Sequence, residues 1–416
     1  MPMSMATKKK KSKQMAPLVQ APSFYTCFDR LALPNHSSML YKPMRFRTRS
    51  HQGETQAATE MSSLSMKCML FTSAVAVVLA LFPVAAVGAG LKVGFYSKSC
   101  PSAENLVQQA VAAAFKNNTG VAAGLIRLHF HDCFVKGCDG SVLIDSTANN
   151  TAEKDAPPNK PSLRGFEVID AAKKAIEAKC PKTVSCADIL AFAARDSVAL
   201  AGNVTYKVPA GRRDGRISTN ASALNNLPSP LSTASELVGN FTLKNLTAED
   251  MVVLSGAHTI GVSHCSSFTN RLYGFSNTSQ VDPTMSSAYA FLLKSICPAN
   301  SSQFFPTTTT DMDIITPTVL DNKYYVGLTN SLGMFTSDQA LLTNSTLKTS
   351  VDEFVKSEKR WKSKFVKSMV KMGDIEVLTG TQGEIRLSCR VINKGSAGLE
   401  ITNGPDYGEF AEIATS

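Results

Sequence analysis

"RLHFHDCFVKGCDGS", residues 127–141, packs two histidines, an arginine, two aspartates, two cysteines and two glycines into fifteen positions. Arg127 and His131 stand four residues apart, so a helix puts them on one face, while His129 points elsewhere. A guanidinium beside an imidazole pairs a fixed cation with a proton acceptor. Such a pair moves a proton while holding developing negative charge. Gly137 then permits a tight turn, and Asp132, Asp139 and Ser141 offer hard oxygen ligands that loop carbonyls complete into a calcium shell. The spacing is not that of an EF-hand. The stretch reads as a catalytic helix running into a calcium loop; a part-exposed Arg–His pair followed by a capped surface loop is the ordinary alternative.

The chain has 416 residues and is 44% hydrophobic, enough for a well-buried core and one or two domains. Its net charge of +10 is unevenly spread. Residues 1–68 hold eleven Lys and Arg against three acids, and the rest is close to balance. The basicity belongs to an N-terminal extension, so it gives no ground for nucleic-acid binding by the folded part. Residues 1–60, with "KKKKSK" and "RFRTRS", read as an unusual basic leader or as a misassigned start upstream of Met61 or Met66. Residues 61–89 have the layout of a secretory signal peptide: Lys67, an apolar run, then small residues up to Ala89. A membrane anchor is the alternative, but Pro83 and the small-residue exit favour cleavage and a mature chain beginning near Gly90.

Cys27 and Cys68 precede that point, and eight cysteines follow it: Cys100, Cys133, Cys138, Cys180, Cys186, Cys265, Cys297 and Cys389. An even number behind a signal peptide predicts a disulfide framework, although spacing alone leaves the pairing open. Reduced buried thiols are the other reading. Nine N-x-S/T sequons after residue 90, at Asn117, Asn149, Asn203, Asn220, Asn240, Asn245, Asn277, Asn300 and Asn344, agree with a secreted glycoprotein.

Helical periodicity covers about 102–117, 120–134, 167–179, 185–199, 233–243, 247–254 and 346–372, and alternating strand patterns are nearly absent. Ser185 with Asp188, Thr233 with Glu236 and Thr247 with Asp250 have capping-box spacing. Residues 145–162, 202–232 and 299–320 read as loops, and 395–416 as a flexible extension. The mature part holds four histidines: His129, His131, His258 and His264. No zinc-site spacing connects them. His258, in "LSGAHTIG", follows a turn at Gly256. As an iron ligand it needs a carboxylate on its other nitrogen, for which Asp338 in "FTSDQALL" is the candidate. A second oxygen-rich stretch, "TDMDIITPTVLDNKYY", offers Asp313, Thr316 and Asp321.

Taken in order, "FYSKSCP", "RLHFHDCFVKGCDGS", "EKDAPPN", "RGFEVID", "SCADILAFAARDSV", "GRRD", "NLPSP", "LSGAHTIG", "DNKYY", "SDQALL" and "GTQGEIRLSCRVIN" closely resemble the secreted plant haem peroxidases (class III), over about residues 91–394. The resemblance implies an all-α haem peroxidase fold over residues 90–394: two helical domains with one haem b between them, four disulfides and two calcium ions. By similarity, His131 is the distal acid–base residue, and Arg127 polarises the O–O bond and stabilises the resulting ferryl state. Asn159 hydrogen-bonds His131, Glu153 extends that network toward the distal calcium, and Phe130 shields the pocket. His258 is the axial iron ligand and Asp338 its hydrogen-bond partner. The distal calcium takes Asp132, Val135, Gly137, Asp139 and Ser141; the proximal calcium takes Thr259, Asp313, Thr316, Val319 and Asp321. The implied pairing is Cys100–Cys180, Cys133–Cys138, Cys186–Cys389 and Cys265–Cys297. A C-x-x-C-H haem-attachment motif is absent, which implies non-covalent haem.

The implied activity is oxidation of small phenolic donors by hydrogen peroxide, in one-electron steps through a ferryl intermediate, by a monomer that also meets cell-wall polymers. The implied location is extracellular, in the apoplast or wall, with the vacuole as the alternative if the tail is a sorting signal. Pro228 matches the substrate-site proline. Pro157, Leu231 and Ser267 stand where some members carry aromatic residues near the haem edge, so donor stacking is expected to be weaker. Tyr206 and Trp361 read as packing residues. A wall-adhesion protein keeping this fold and a secreted zinc hydrolase are the competing readings. Retention of Arg127, His131, Asn159, His258 and Asp338 disfavours the first, and the missing ligand motif disfavours the second.

Overall fold

The computed structural model describes residues 90–299 and 307–395. The expected leader and signal segment, nearly all of the expected C-terminal extension and the Asn300 sequon lie outside the described residues. Of the other sequons, Asn117, Asn149, Asn203, Asn245, Asn277 and Asn344 are exposed, whereas Asn220 and Asn240 are half-buried. Among the described residues no helix is long and apolar enough to cross a membrane.

The described chain is all-α in class, with thirteen α-helices and only four strands of two or three residues. The helices are α1 (Ala103–Asn117), α2 (Val121–Lys136), α3 (Phe166–Glu177), α4 (Cys186–Gly202), α5 (Asn220–Asn226), α6 (Ala234–Leu243) and α7 (Ala248–Ser255). They continue with α8 (Thr269–Leu272), α9 (Ser287–Ile296), α10 (Lys323–Thr329), α11 (Thr336–Gln339), α12 (Ser345–Lys356) and α13 (Glu358–Met372). Two antiparallel pairs, β1 (Lys92–Val93) with β2 (Pro209–Ala210) and β3 (Val262–His264) with β4 (Thr309–Asp311), clip distant segments together.

One hydrophobic cluster is built from α1, α3 and α4, with Val107, Val111, Ile169, Ile176, Ile189 and Phe192 at its centre. Another joins α7, α12 and α13 through Val252, Phe354, Trp361 and Phe365. Helix α2 serves both: Leu125 and Leu128 pack into the first, Ile126 and Phe134 into the second. That double burial explains its lack of a polar face. A third cluster holds Phe268, Leu272, Tyr289 and Leu293 around Cys265–Cys297.

Thr233 and Thr247 each form the full capping box with Glu236 and Asp250. Ser185 caps α4 by accepting from the Asp188 amide, but the Asp188 carboxylate is used elsewhere. It accepts from Tyr96 Oη at 2.8 Å, the Gly211 amide at 2.7 Å and Arg212 Nη1 at 2.8 Å, so it ties α4 to the residues after β2.

The continuous 346–372 helix is corrected to two helices. Ser357 leaves the helical region (φ −148°, ψ 95°) and caps α13 by accepting from the Arg360 amide. Serine competes with the backbone in this way, and periodicity alone does not reveal it. The 202–232 loop contains α5, capped by Thr219, and the 299–320 loop contains β4. Helices α8 to α11 escaped the periodic reading; α8, α10 and α11 are too short to show a stripe.

Among the described residues four disulfides, Cys100–Cys180, Cys133–Cys138, Cys186–Cys389 and Cys265–Cys297, fasten the chain. The third spans 203 residues and joins the start of α4 to the C-terminal segment. In a chain-entropy treatment a loop of that size contributes roughly 5 kcal/mol.

Two glycines give opposite predictions. A Cβ on Gly256, two residues before His258, would lie 2.5 Å from Tyr325 Oη and 2.6 Å from Trp361 Nε1, whereas one on Gly239 would meet nothing within 4 Å. Gly256→Ala is expected to cost about 1–3 kcal/mol through overpacking. Gly239→Ala, inside α6, is expected to gain up to about 1 kcal/mol through backbone entropy. Denaturant unfolding of the two variants checks both signs.

Candidate active site

Helix α2 carries His131 into the interior, where Nδ1 lies 2.6 Å from Asn159 Oδ1. Asn159 Nδ2 donates to the Glu153 carbonyl at 2.6 Å, which fixes the amide so that its oxygen faces the histidine. His131 therefore donates from Nδ1 and keeps its lone pair on Nε2. Burial, then the Arg127 charge, pulls its pKa well below the usual imidazole value, against the hydrogen bond to Asn159. A neutral base results.

Arg127 is one turn earlier on α2 and only partly exposed. Its guanidinium donates to Ser162 Oγ and to the Pro158 carbonyl, both at 3.0 Å. Burial and the neighbouring Arg164 pull it down to about 10, which leaves it charged at neutral pH. The fixed cation and the neutral base thus share one helix, as their spacing predicts. His129 points away and packs on the Cys133 sulfur at 3.6 Å. Among the described residues His129, Cys133 and Cys138 cluster as metal donors would, but the two cysteines are bound to each other and supply no thiolate.

His258 sits in the 3₁₀ turn Gly256–Thr259 that follows α7. Its Nδ1 lies 2.7 Å from Asp338 Oδ1. Asp338 also accepts from Tyr324 Oη at 3.0 Å and from the Phe335 amide at 2.8 Å. Burial works to raise this carboxyl, but its interaction with His258 and these hydrogen bonds outweigh it and hold the group below its ordinary value. Tyr324 and Phe335 meet the imidazole edge-on, at 5.9 and 5.5 Å between centroids. The His258 side chain is 40% exposed and that of Asp338 only 2%. The ring is therefore held from inside, with Nε2 left to bind an external partner such as haem iron. The donor set fits an axial ligand.

The loop after α2 gathers Asp132, Asp139, Ser141 and Glu153, all buried. Ser141 Oγ and both Glu153 carboxylate oxygens are buried without any hydrogen-bond partner. Burial, with repulsion from Asp132 and Asp139, pushes Glu153 up to about 9. Burial and Asp139 raise Asp132 well above the carboxylate range, and burial takes Asp139 to about 6. Orphaned hard oxygens that repel one another fit a calcium ion. A Cβ on Gly215 would meet Asp139 Oδ2 at 2.1 Å, so only glycine lets that carboxylate lie there. Gly137 (φ +85°) turns the chain, and its Cβ would meet the Glu376 carbonyl oxygen at 2.5 Å. Val135 and Gly137 have only carbonyls to offer.

The second loop brings Thr259, Asp313, Thr316 and Asp321 together. Thr259 Oγ1 donates to Asp313 Oδ2 at 3.0 Å, and Thr316 Oγ1 donates to Asp321 Oδ1 at 3.0 Å. Burial raises Asp313, and Asp321 adds to the effect. Val319, part of the same loop, has an exposed side chain and can add only its carbonyl.

Other expected residues fall less centrally. Phe130 packs on Phe134 and Phe241, at 4.3 and 6.4 Å, as well as edge-on to His131 at 5.7 Å. Pro228 follows α5 and is half-buried; Leu231 and Pro157 are exposed, and Ser267 is half-buried. Three functional neighbours were not anticipated: Ser162 and Pro158 on Arg127, and Tyr324 on Asp338. "DNKYY" carries no periodic signal that separates Tyr324 from Tyr325.

The family model described as "Peroxidase" matches residues 107–357. The chain is 57% identical to "Peroxidase 1" of Zea mays over 309 residues, 73% of this chain and 84% of that protein. It is 55% identical to "Peroxidase 5" of Vitis vinifera over 305 residues (73% and 92%). It is 48% identical to "Peroxidase 3" of Arabidopsis thaliana over 333 residues (79% and 100%).

The orphaned oxygens generate a prediction. Adding calcium to chelated protein is expected to raise the melting temperature, with about 2.7 kcal/mol of stabilisation at a free ion concentration about one hundred times Kd. Glu153→Gln is expected to weaken that response. Calorimetry with elemental analysis reads it; an unchanged melting temperature in chelated wild type, with metal loss verified, is the contrary result.

Proposed function

The chain belongs to the plant class III haem peroxidase family, and from that premise we propose a secreted enzyme that oxidises small phenolic donors in one-electron steps. Membership makes it an oxidoreductase that uses hydrogen peroxide. The observation that carries the finer reading is the pair of histidines, each with Nδ1 held by an oxygen and Nε2 left over.

Haem, when bound, supplies the two-electron chemistry with peroxide that side chains lack. His258 Nε2 would hold its iron, and Asp338, accepting from Nδ1, gives that imidazole anionic character. His131 Nε2 takes a proton from one peroxide oxygen and returns it to the departing one. Arg127 holds the negative charge that develops between those events, and Asn159 keeps His131 in the working tautomer. Two calcium ions, one in each acidic loop, would hold the segments that carry His131 and His258. Lignin monomers, wall phenolics and wall polymers are the donors that fit a secreted enzyme of this kind. If Pro157, Leu231 and Ser267 flank the haem edge, as the resemblance implies, they would offer donors little aromatic stacking. We assign a monomer to the apoplast or wall, with the vacuole as the alternative destination.

His131→Ala tests the mechanism. Haem remains bound, with its Soret band, because His131 is not the iron ligand. The rate of the peroxide-dependent spectral change falls by about 10²–10⁴-fold, the usual contribution of acid–base catalysis. In wild type the same rate stays flat through neutral pH and falls only in acid, because the depressed pKa keeps His131 neutral to lower pH. His258→Ala differs in kind and alters the Soret spectrum itself. Stopped-flow spectra of both variants decide; near wild-type reaction in His131→Ala removes the mechanism.

A further inference from the structure

Behind the His258–Asp338 pair, a row of oxidisable rings runs into the core. Tyr324 meets His258 at 5.9 Å between centroids, Tyr325 meets Tyr324 at 5.1 Å, and Trp361, the chain's single tryptophan, meets Tyr325 at 5.9 Å. Phe335 touches His258 as closely, but a phenyl ring gives up an electron far less readily than a phenol.

The three oxidisable rings differ in where their protons can go. Tyr324 Oη donates to a carboxylate oxygen, Asp338 Oδ1, at 3.0 Å. Tyr325 Oη donates to the carbonyls of Val252 and Val253, at 2.8 and 3.2 Å. Trp361 Nε1 donates to the same Val253 carbonyl at 3.1 Å. A phenol that has lost an electron becomes a strong acid, and a hydrogen-bonded carboxylate is a far better acceptor for its proton than a peptide carbonyl. Tyr325 and Trp361 are fully buried, so a cation left on either ring would be an unpaired charge in an apolar core, at large cost. Of the three, Tyr324 alone has an acceptor that lets it end neutral.

We propose that Tyr324 is a built-in one-electron donor to the haem site, and that it holds a neutral tyrosyl radical when peroxide arrives without a phenolic donor. The inference rests on the peroxidase reading above. In the step, the Tyr324 phenol loses one electron to the peroxide-oxidised prosthetic group, which is reduced by one electron. The phenolic O–H bond breaks, and the proton passes along the existing hydrogen bond to Asp338 Oδ1. A phenolic donor that arrives later returns one electron and releases its own proton to water, and the Asp338 proton moves back to re-form the Tyr324 hydroxyl. Tyr325 and Trp361, lacking proton acceptors of this kind, confine the radical to Tyr324. The oxidising equivalent is parked in one place instead of being lost to unselective oxidation of the chain.

The test uses the haem-loaded full protein, freeze-quenched after mixing with peroxide in the absence of donor and read by electron paramagnetic resonance. The expected signal is an organic radical whose hyperfine splitting collapses when the protein contains ring-deuterated tyrosine. Tyr324→Phe loses that signal, Tyr325→Phe and Trp361→Phe keep it, and guaiacol added after peroxide erases it. Because Tyr324→Phe also removes a hydrogen bond from Asp338, 3-fluorotyrosine placed at position 324 provides an independent reading: it keeps the hydroxyl and adds a fluorine splitting. A tyrosyl signal that persists in Tyr324→Phe, or a radical sensitive to deuterated tryptophan instead, overturns the assignment. Absence of any organic radical in protein whose haem has reacted with peroxide overturns it as well. Haem-loaded protein with no spectral response to peroxide brings down the peroxidase reading too, and so separates the two failures.

Discussion

His131 Nδ1 lies 2.6 Å from Asn159 Oδ1, and His258 Nδ1 lies 2.7 Å from Asp338 Oδ1; each ring is left with Nε2 as its working nitrogen. The partners differ, and the difference suits the two rings to different tasks. A neutral carboxamide orients His131 without adding negative charge, so burial and Arg127 keep that imidazole weakly basic. A carboxylate does the opposite for His258, strengthening it as a donor toward a metal. Exchanging the two partners would leave an over-basic proton shuttle and a poorer ligand.

Holding those partners in place uses much of the molecule. Asn159 is fixed through the Glu153 carbonyl, and the Glu153 amide in turn donates to Ser218 Oγ at 3.1 Å. The turn behind the distal loop is pinned from the C-terminal segment, where Arg386 donates to the Gly140 carbonyl and the Arg386 amide donates to Asp214 Oδ2 at 2.9 Å. Cys186–Cys389 and Cys133–Cys138 reinforce the same region covalently. On the other side, Gly256 lets the His258 turn rest directly on Tyr325 and Trp361. A packed aromatic core and a fixed turn therefore set the direction of one imidazole.

Much of this was legible in the chain. The four-residue spacing of Arg127 and His131 placed them on one face because a long, apolar helix obeys its own periodicity. Thr233 and Thr247 announced their helices because capping is local chemistry. What stayed hidden depends on contacts across the fold. Ser357 was read as an interior helical residue because serine fits a helix or a cap, and only the packing of α12 and α13 on α7 decides between them. Asp188 had the spacing of a capping partner, yet its carboxylate is taken by Tyr96, Gly211 and Arg212, which are distant in sequence. Tyr324 was indistinguishable from Tyr325 for the same reason. The link through Glu153 gains a refinement that no motif carries: it is the backbone carbonyl, not the carboxylate, that receives Asn159.

That refinement bears on how the acidic loops communicate with the histidines. Glu153 has two roles on two parts of one residue: the carbonyl fixes Asn159, and the carboxylate faces Asp132 and Asp139 without a partner. Any cation drawn to those oxygens pulls on the residue that sets the His131 tautomer, through its side chain and one amide hydrogen bond. The proximal loop has no such intermediary. Thr259 adjoins His258 in sequence, and its hydroxyl is already bonded to Asp313 and within 3.3 Å of Asp321. Its oxygens satisfy one another without a cation, whereas the distal oxygens do not. The distal loop is therefore the one whose charge balance depends more on an ion, and the distal histidine is the one whose orientation depends on that balance.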